Sequence, residues 1–435
     1  MYVNSFVMST HILNIMNQHS AAMAKHMQRI ASGRRINSVV DDPSGWAIGQ
    51  RMDVRIRALD QANSNTQTMG KLLQVADGGI SSTIDLIKTL KEKAIEAAND
   101  TATDQDRRTI QKLFDQYVDQ IDDNALITYN GKSLLDGSHA GVAHATQQAF
   151  TNRSLGENVT LDTKLTDLTR RDGDSLGIVD TDTVTASYVK DGRTYTAHFS
   201  AKDATLGDLF KKMNEVSGDA FDLKGSSSTD KIGVDADGEM KTTVDNKNAI
   251  TVKASATGTD AALGGFAIGI TNLKGQAKKS ANNVLNSFTE TIQARNAMGD
   301  TALYAQTGAD ANFGIKIGIG DMRATALGLR GRDGHVLDVT TREGANAAIE
   351  VLDNALNRAL DQSTTIGAIS SRLEYTSQNL TTESTNLTSA MSTLMDADLA
   401  KEMLAYTKEN VLMQAAMAML AQNNQNSAWF LSLLR

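Results

Sequence analysis

The sequence predicts an α+β multidomain protein in which long helices from both chain ends form an antiparallel coiled coil or helical bundle. Apolar and small residues recur at alternating steps of three and four over residues 52–97 and again over 352–394. That spacing keeps one stripe on one helix face, and such a stripe needs partner helices to bury it. From about residue 140 the chain becomes rich in Thr, Asp, Gly and Ser, which predicts an inserted β-rich region.

The C-terminal repeat differs between its two heptad positions. One position holds Leu352, Ala359, Ile366, Leu373, Leu380, Leu387 and Leu394. The other holds Leu356, Ser363, Ser370, Ser377, Ser384 and Met391. Small serines let helices approach closely, and a serine hydroxyl can bond the backbone one turn back. The pattern therefore favours a multi-helix bundle or a tightly packed wall of helices over an isolated dimer.

The N-terminal region predicts two helices joined by a turn cluster. The first helix covers residues 4–33, where Gly33 provides a C-terminal stop. In the turn cluster Asp42 can cap the next helix, and Pro43 suits its first position. That second helix covers about residues 43–99.

Further helices are expected at about 104–124, at 341–394 and, after a break at Met395-Asp396, at 397–424. Between them the clearest β signal is a hairpin, in which Asp191-Gly192 joins the alternating stretches 183–190 and 193–199. The other elements predicted in the middle are a helix near 205–216 and strands at 250–254, 266–270 and 313–319.

The bulk composition excludes several classes of function. A formal net charge of −8 argues against broad binding to nucleic acid or to anionic membranes. The absence of cysteine excludes disulfides, thiolate metal sites and thiol nucleophiles. No apolar run reaches membrane-spanning length, and polar residues interrupt the N-terminus where a cleavable signal would be apolar.

The sequence offers no catalytic, cofactor or metal constellation. His11, His19 and His26 lie too far apart on one helix to share a metal, so a surface or seam role is the default for them. His139 and His144 lack the helix-borne Glu of a zinc-protease motif. The Asp235–Glu239 stretch lacks the remaining ligands of a calcium loop, which favours a polar turn. We therefore expect a protein that is not an enzyme and holds no cofactor.

Several motifs, in order along the chain, resemble those of the bacterial flagellin family. They are SGRRINS at 32–38, DDPSGWAI at 41–48, TYNG at 128–131, ATALGL at 324–329, GANAAI at 344–349, MDADLA at 395–400, LAQNN at 420–424 and LSLLR at 431–435. The resemblance covers about residues 1–140 and 310–435, and the middle of the chain matches no named domain.

The resemblance implies a structural subunit that self-assembles into the bacterial flagellar filament for motility. It implies filament-core helices at 1–42 and 396–435, a helical bundle built from 43–140 and 311–395, and a variable β-rich outer domain at 141–310. Short end helices are marginal alone and order when neighbours bury them. The residues expected to form this assembly stripe are Leu13, Met16, Met23, Met27, Ile30, Met403, Tyr406, Met413, Met417 and Leu420.

The resemblance also implies partners and a location. The partner implied first is the chain itself, as a helical homopolymer secreted to the extracellular flagellum. Others are an export chaperone on the C-terminal helix, the flagellar type III export apparatus, and the filament cap and hook-junction proteins. Nucleic acid and membrane are not expected as partners.

One departure from the family concerns the vertebrate innate flagellin receptor. Family members that the receptor recognises usually carry Arg where Thr89 stands, Leu where Lys93 stands and Glu where Leu113 stands. The resemblance therefore implies weakened recognition of this chain.

Three other functions compete with the filament subunit. A hook–filament junction protein shares the end architecture. An enzyme domain could be carried within 141–310, although no catalytic spacing is present there. A generic coiled-coil adhesin would not require flagellin motifs at both ends.

Overall fold

The computed structural model describes residues 2–218, 220–243, 245 and 247–433, which divide into two compact units. The first, called here the terminal unit, contains the residues up to Thr66, Gln306–Phe313 and the residues from Tyr375 onward. The second, called the central unit, contains Gln67–Ala305 and Gly314–Glu374.

Long helices lie near both chain ends, as the apolar spacing predicts. The α-helices are α1 (Tyr2–Ser32), α2 (Pro43–Ala97), α3 (Asp104–Ala125), α4 (Leu206–Ser217), α5 (Lys279–Leu285), α6 (Ala324–Leu327), α7 (Arg342–Met395) and α8 (Leu399–Leu433). The predicted end of the last helix at 424 is wrong, because α8 continues to Leu433. Its sequence contains no Pro or Gly that would end it earlier.

The strands lie in the middle of the chain, and most of them pair antiparallel. They are β1 (Thr128–Tyr129), β2 (Lys132–Ser133), β3 (Gln147–Asn152), β4 (Thr183–Lys190), β5 (Arg193–Ser200), β6 (Phe221–Thr229), β7 (Lys231–Val234), β8 (Met240–Thr242), β9 (Ala249–Thr257), β10 (Leu263–Thr271), β11 (Phe288–Ile292), β12 (Leu303–Gln306) and β13 (Gly314–Ile317). Together with the helices they confirm the α+β multidomain class.

Two sheets build the β-rich part of the central unit. One has the strand order β11-β3-β9-β6 and the other β10-β4-β5. The predicted hairpin is present as β4 and β5, in register from Thr183↔Ser200 to Lys190↔Arg193. Five phenylalanines pack edge to face or tilted in the core beneath these sheets: Phe150, Phe210, Phe221, Phe266 and Phe288. Half of the ten phenylalanines of this chain thus lie in one apolar core.

The helical part of the central unit buries the predicted stripes. Its core residues include Leu73, Ile80, Ile87 and Leu90 from α2, Phe114 and Ile121 from α3, and Leu352, Ala359 and Ile366 from α7. At the start of α3, Thr103 and Asp106 form a reciprocal capping box, so Thr103 caps the helix.

The β-rich part is fastened to α7 by a buried ion pair and a close backbone approach. Arg358 donates from Nε to Glu290 on β11 at 2.8 Å, and the two side chains are 13% and 6% exposed. Asn354 donates to the carbonyl of Gly264, where an added Cβ would lie 3.2 Å from Val351. A side chain at residue 264 would therefore crowd the Val351 side chain on α7.

Candidate assembly interface

In the terminal unit, α1 and α8 pack against each other in an antiparallel pair. The contacts fix the direction, since His19 reaches Glu409 while His26, further along α1, reaches Glu402. Ile12 and Ala416 are buried, and the partly buried residues recur at steps of three and four along both helices. These partly buried residues are Ser9, Ile15, Met16, His19, Ala22, Met23, His26, Arg29 and Ile30 on α1, and Glu402, Ala405, Tyr406, Glu409, Asn410, Met413, Leu420 and Asn423 on α8. We call this contact the end seam.

The end seam contains charged contacts as well as apolar ones. His19 Nδ1 lies 2.5 Å from Glu409 Oε2, and His26 Nδ1 lies 2.5 Å from Glu402 Oε2. Arg29 donates to the other oxygen of Glu402 at 3.1 Å. Burial raises the pKa of Glu402, but the hydrogen bond from His26 and the charge of Arg29 outweigh it, so that pKa lies below its usual value.

The surface of the pair outside the end seam is rich in exposed apolar residues. Its exposed large apolar residues are Val7, Met8, Leu13, Met27, Leu399, Met403, Leu404, Val411, Leu412, Met417, Met419 and Trp429. Leu404, for example, is 70% exposed. We call this surface the outer apolar face. An apolar surface of this extent marks a site of protein–protein contact.

The residues expected to form the assembly stripe divide between these two surfaces. Six lie in the end seam: Met16, Met23, Ile30, Tyr406, Met413 and Leu420. The other four, Leu13, Met27, Met403 and Met417, are 44% to 53% exposed and lie on the outer apolar face. Sequence reasoning did not find the pairing of the histidines with glutamates. The heptad spacing of His19 and His26, matched by Glu402 and Glu409, was the available signal.

A compact turn cluster joins α1 to α2 and meets the junction between α7 and α8. Arg35 donates its backbone N–H to the carbonyl of Met395 at 2.7 Å, and Ala397 donates to Gly33 at 2.9 Å. Gly33 has φ +68°, a left-handed conformation that suits glycine. These backbone bonds hold the start of α8 beside the end of α1.

Two aspartates stabilise the same turn cluster. Asp41 accepts backbone N–H groups from Asn37 and Ser38 and pairs with Lys25 at 3.1 Å. The hydrogen bond from Lys25, followed by that from Asn37, lowers the pKa of Asp41. Asp42 accepts from the N–H groups of Ser44 and Gly45, so it caps α2 as expected.

The serines of α7 act differently from the sequence expectation. In the terminal unit, Ser377 Oγ donates to Asn63 Oδ1 at 2.6 Å, and Ser384 Oγ donates to Asp60 at 2.8 Å. In the central unit, Ser363 Oγ donates to Asp77 at 3.0 Å. The prediction that these hydroxyls bond the backbone one turn back is wrong for the three, because α2 presents polar acceptors opposite them.

The three residues singled out for receptor recognition lie on α2 and α3 of the central unit. Thr89 donates its hydroxyl to the carbonyl of Asp85 at 2.9 Å. Lys93 pairs with Glu96 at 2.7 Å, and this hydrogen bond raises the pKa of Lys93. Leu113 is partly buried.

Two features are missing from the part of the chain that the structure describes. No group of three or more His, Cys, Asp or Glu side chains could hold a metal in that part of the chain. None of the described helices is long and apolar enough to cross a membrane.

Comparison with known proteins identifies relatives of the whole chain. The family model for the bacterial flagellin N-terminal helical region matches residues 3–140, and that for the C-terminal helical region matches residues 349–434. A flagellin of Clostridium tyrobutyricum is 32% identical over 429 residues, which cover 98% of this chain and 100% of the relative. A flagellin of Bacillus subtilis is 26% identical and covers 100% of both chains. A solved structure of FliC from Burkholderia pseudomallei aligns with 72% of this chain and 99% of its own, at 18% identity and a TM-score of 0.25.

Proposed function

Because the chain belongs to the flagellin family, we propose that it builds the flagellar filament by burying its outer apolar face against other copies of itself. The family makes it a structural subunit of the filament. The single observation that carries the assembly mechanism is the exposed apolar surface on both α1 and α8. Each Leu or Met that becomes fully buried contributes about 1.5–3 kcal/mol, so several such contacts offset the cost of ordering the ends.

We propose that the segments of the chain form the same domains that the sequence predicts. Residues 1–42 and 396–435 form the filament core, 43–140 and 311–395 form the helical bundle, and 141–310 form the outer domain. The outer apolar face supports the first assignment, and the concentration of strands in the middle of the chain supports the last. The site residues on the two end helices act in assembly rather than in catalysis.

The junction-protein alternative predicts a short ring rather than a long filament. Relatives that carry the name flagellin match this chain over its full length, which favours the filament subunit. We also propose that the chain has no enzymatic activity, since its family is structural and its middle region shows no catalytic spacing.

We propose an extracellular location in the flagellum and an export route through the flagellar type III apparatus. The absence of cysteine fits passage as an unfolded chain, because no disulfide has to be opened. An export chaperone would cover the exposed apolar residues of α8 before assembly, since free surfaces of this kind promote aggregation. The filament cap and hook-junction proteins would contact the same end helices.

We propose that the innate flagellin receptor recognises this chain weakly. Compared with family members that the receptor recognises, this chain has Thr89 in place of a fixed cation and Lys93 in place of an apolar side chain on the expected contact helix. Leu113 stands in place of an acidic group. A receptor-reporter assay should show activation only at doses well above those of a recognised flagellin. Full potency at the usual low doses would contradict the proposal.

The direct test of the assembly mechanism removes residues 397–435. The truncated chain should remain a soluble monomer under conditions in which the full chain polymerises, since eight of the twelve residues of the outer apolar face are gone. Negative-stain electron microscopy and sedimentation measure the outcome. Filaments formed by the truncated chain would refute the proposed interface.

A further inference from the structure

The end seam contains two titratable pairs in matching heptad positions. His19 and His26 are separated by one heptad on α1, and their partners Glu409 and Glu402 are separated by one heptad on α8. The same antiparallel register places Ile12 opposite Ala416, and both of these are buried. The position equivalent to His19 one heptad earlier on α1 is therefore filled by an apolar residue. Packing of the two helices alone does not require histidine at positions 19 and 26.

The pairs are shielded from solvent and have few competing charges. The side chains of His19 and His26 are 24% and 22% exposed, and those of Glu409 and Glu402 are 19% and 13% exposed. On α1, Arg29 shares Glu402 with His26, while Lys25 is paired with Asp41. The other charged residues in this part of α8, Asp398, Lys401 and Lys408, are exposed.

Protonation changes the strength of each contact. A neutral imidazole can donate one N–H to a carboxylate, but a protonated imidazole adds opposite charge to the same hydrogen bond. A histidine side chain ordinarily changes its charge between about pH 5 and pH 8, whereas a carboxylic acid side chain ordinarily does so near pH 4. Because the pairs are partly buried, solvent and salt screen this added attraction less than at an open surface.

We propose that His19 and His26 form a proton-sensitive clasp that closes the α1–α8 pair more tightly at mildly acidic pH than at alkaline pH. This inference rests on the proposed function, because closing the pair presents the outer apolar face for polymerisation. The critical concentration for assembly should therefore rise as the pH increases through the range in which histidine loses its proton.

The test compares the critical concentration of the full chain at about pH 6 and about pH 8, at fixed ionic strength. The variant is His19→Gln with His26→Gln, since an amide keeps a hydrogen-bond donor and does not titrate. The matched control is His11→Gln, at an exposed position on the same helix. The unchanged chain and the control should show a rise of about tenfold between the two pH values, for the two pairs together. The double variant should show nearly equal values.

Two results would overturn the clasp: equal critical concentrations in the unchanged chain, or the full rise retained in the double variant. If the double variant does not fold, Glu402→Gln with Glu409→Gln removes the same charge attraction and should also flatten the pH dependence. If the unchanged chain forms no polymer at either pH, the proposed function fails instead. The clasp is then tested by comparing the hydrogen-exchange protection of the α1 amides at the two pH values, corrected for intrinsic rates. Protection that is equal at both pH values refutes it.

Discussion

At the residue scale, the contact between α2 and α7 shows that a heptad position can hold a polar residue and still join two helices. In the terminal unit, Ser377 and Ser384 on α7 donate hydrogen bonds to Asn63 and Asp60 on α2, respectively. The opposite heptad position supplies apolar burial, with Leu380 packed in a cluster with Leu59 and Ala62. Such hydrogen bonds depend on register, because a shift of one residue would separate every donor from its acceptor.

Replacing Ser377 with Ala should destabilise the chain by about 1 kcal/mol, since Asn63 Oδ1 loses its donor in a partly buried contact. The matched control is Ser389→Ala on the same helix, where the exposed hydroxyl donates only to the carbonyl of Thr385. We expect the control to change stability by less than about 0.5 kcal/mol. Urea unfolding followed by helical circular dichroism measures both, and equal effects would argue against the cross-helix bond.

Sequence reasoning located the residues of the site better than their partners. The apolar spacing identified Met16, Met23 and Ile30 on α1, all of which lie in the end seam. It could not distinguish them from Leu13 and Met27, which are exposed, because a helix with apolar residues on two sides offers no unique stripe. The hydrogen-bond acceptor of each serine could not be predicted either, since it depends on the register of a helix some 300 residues away.

At the element scale, α7 links the helical bundle to the β-rich region through Arg358. Its guanidinium bonds the carboxylate of Glu290 on β11 and the carbonyl of Ala326. Gln148 on β3 donates to the same carboxylate at 2.7 Å. A buried ion pair with its remaining bonds satisfied tolerates removal of both charges far better than removal of one.

The substitution Arg358→Met should destabilise the central unit by about 3–5 kcal/mol, because Glu290 keeps a buried charge without its counter-charge. Adding Glu290→Gln should restore most of that loss, since the amide still accepts from Gln148. Lys88→Met is the control, because its exposed pair with Asp85 contributes little. Thermal unfolding of the three variants measures this, and a double variant no better than Arg358→Met would contradict the ion-pair account.

The elements themselves were predicted unequally from the sequence. Helices α2, α3 and α7 begin and end within a few residues of expectation, because caps and apolar spacing are local signals. The hairpin of β4 and β5 was also clear from its alternation and its Asp191-Gly192 turn. Strands β3 and β6 escaped prediction. The first is buried on both faces, and the second, FDLKGSSST, lacks regular alternation.

At the scale of the whole molecule, the two end helices carry more apolar side chains than their pairing in a monomer can bury. Pairing α1 with α8 buries only one side of each helix and leaves the outer apolar face exposed. A helix with apolar residues all round belongs in the interior of a larger assembly. Family membership identifies that assembly as the flagellar filament, and the sequence motifs at both ends were sufficient to predict it.

Burial of the outer apolar face between filament subunits is tested at a single side chain by the critical concentration for polymerisation of Leu404→Glu. Leu404 is 70% exposed on the outer apolar face, so a buried carboxylate there should raise the critical concentration at least about tenfold or abolish filaments. Leu273→Glu is the matched control, since Leu273 is 78% exposed beyond the end of β10 in the central unit. We expect normal filaments from Leu273→Glu and soluble monomer from Leu404→Glu. Filaments from Leu404→Glu at the unchanged critical concentration would contradict this expectation.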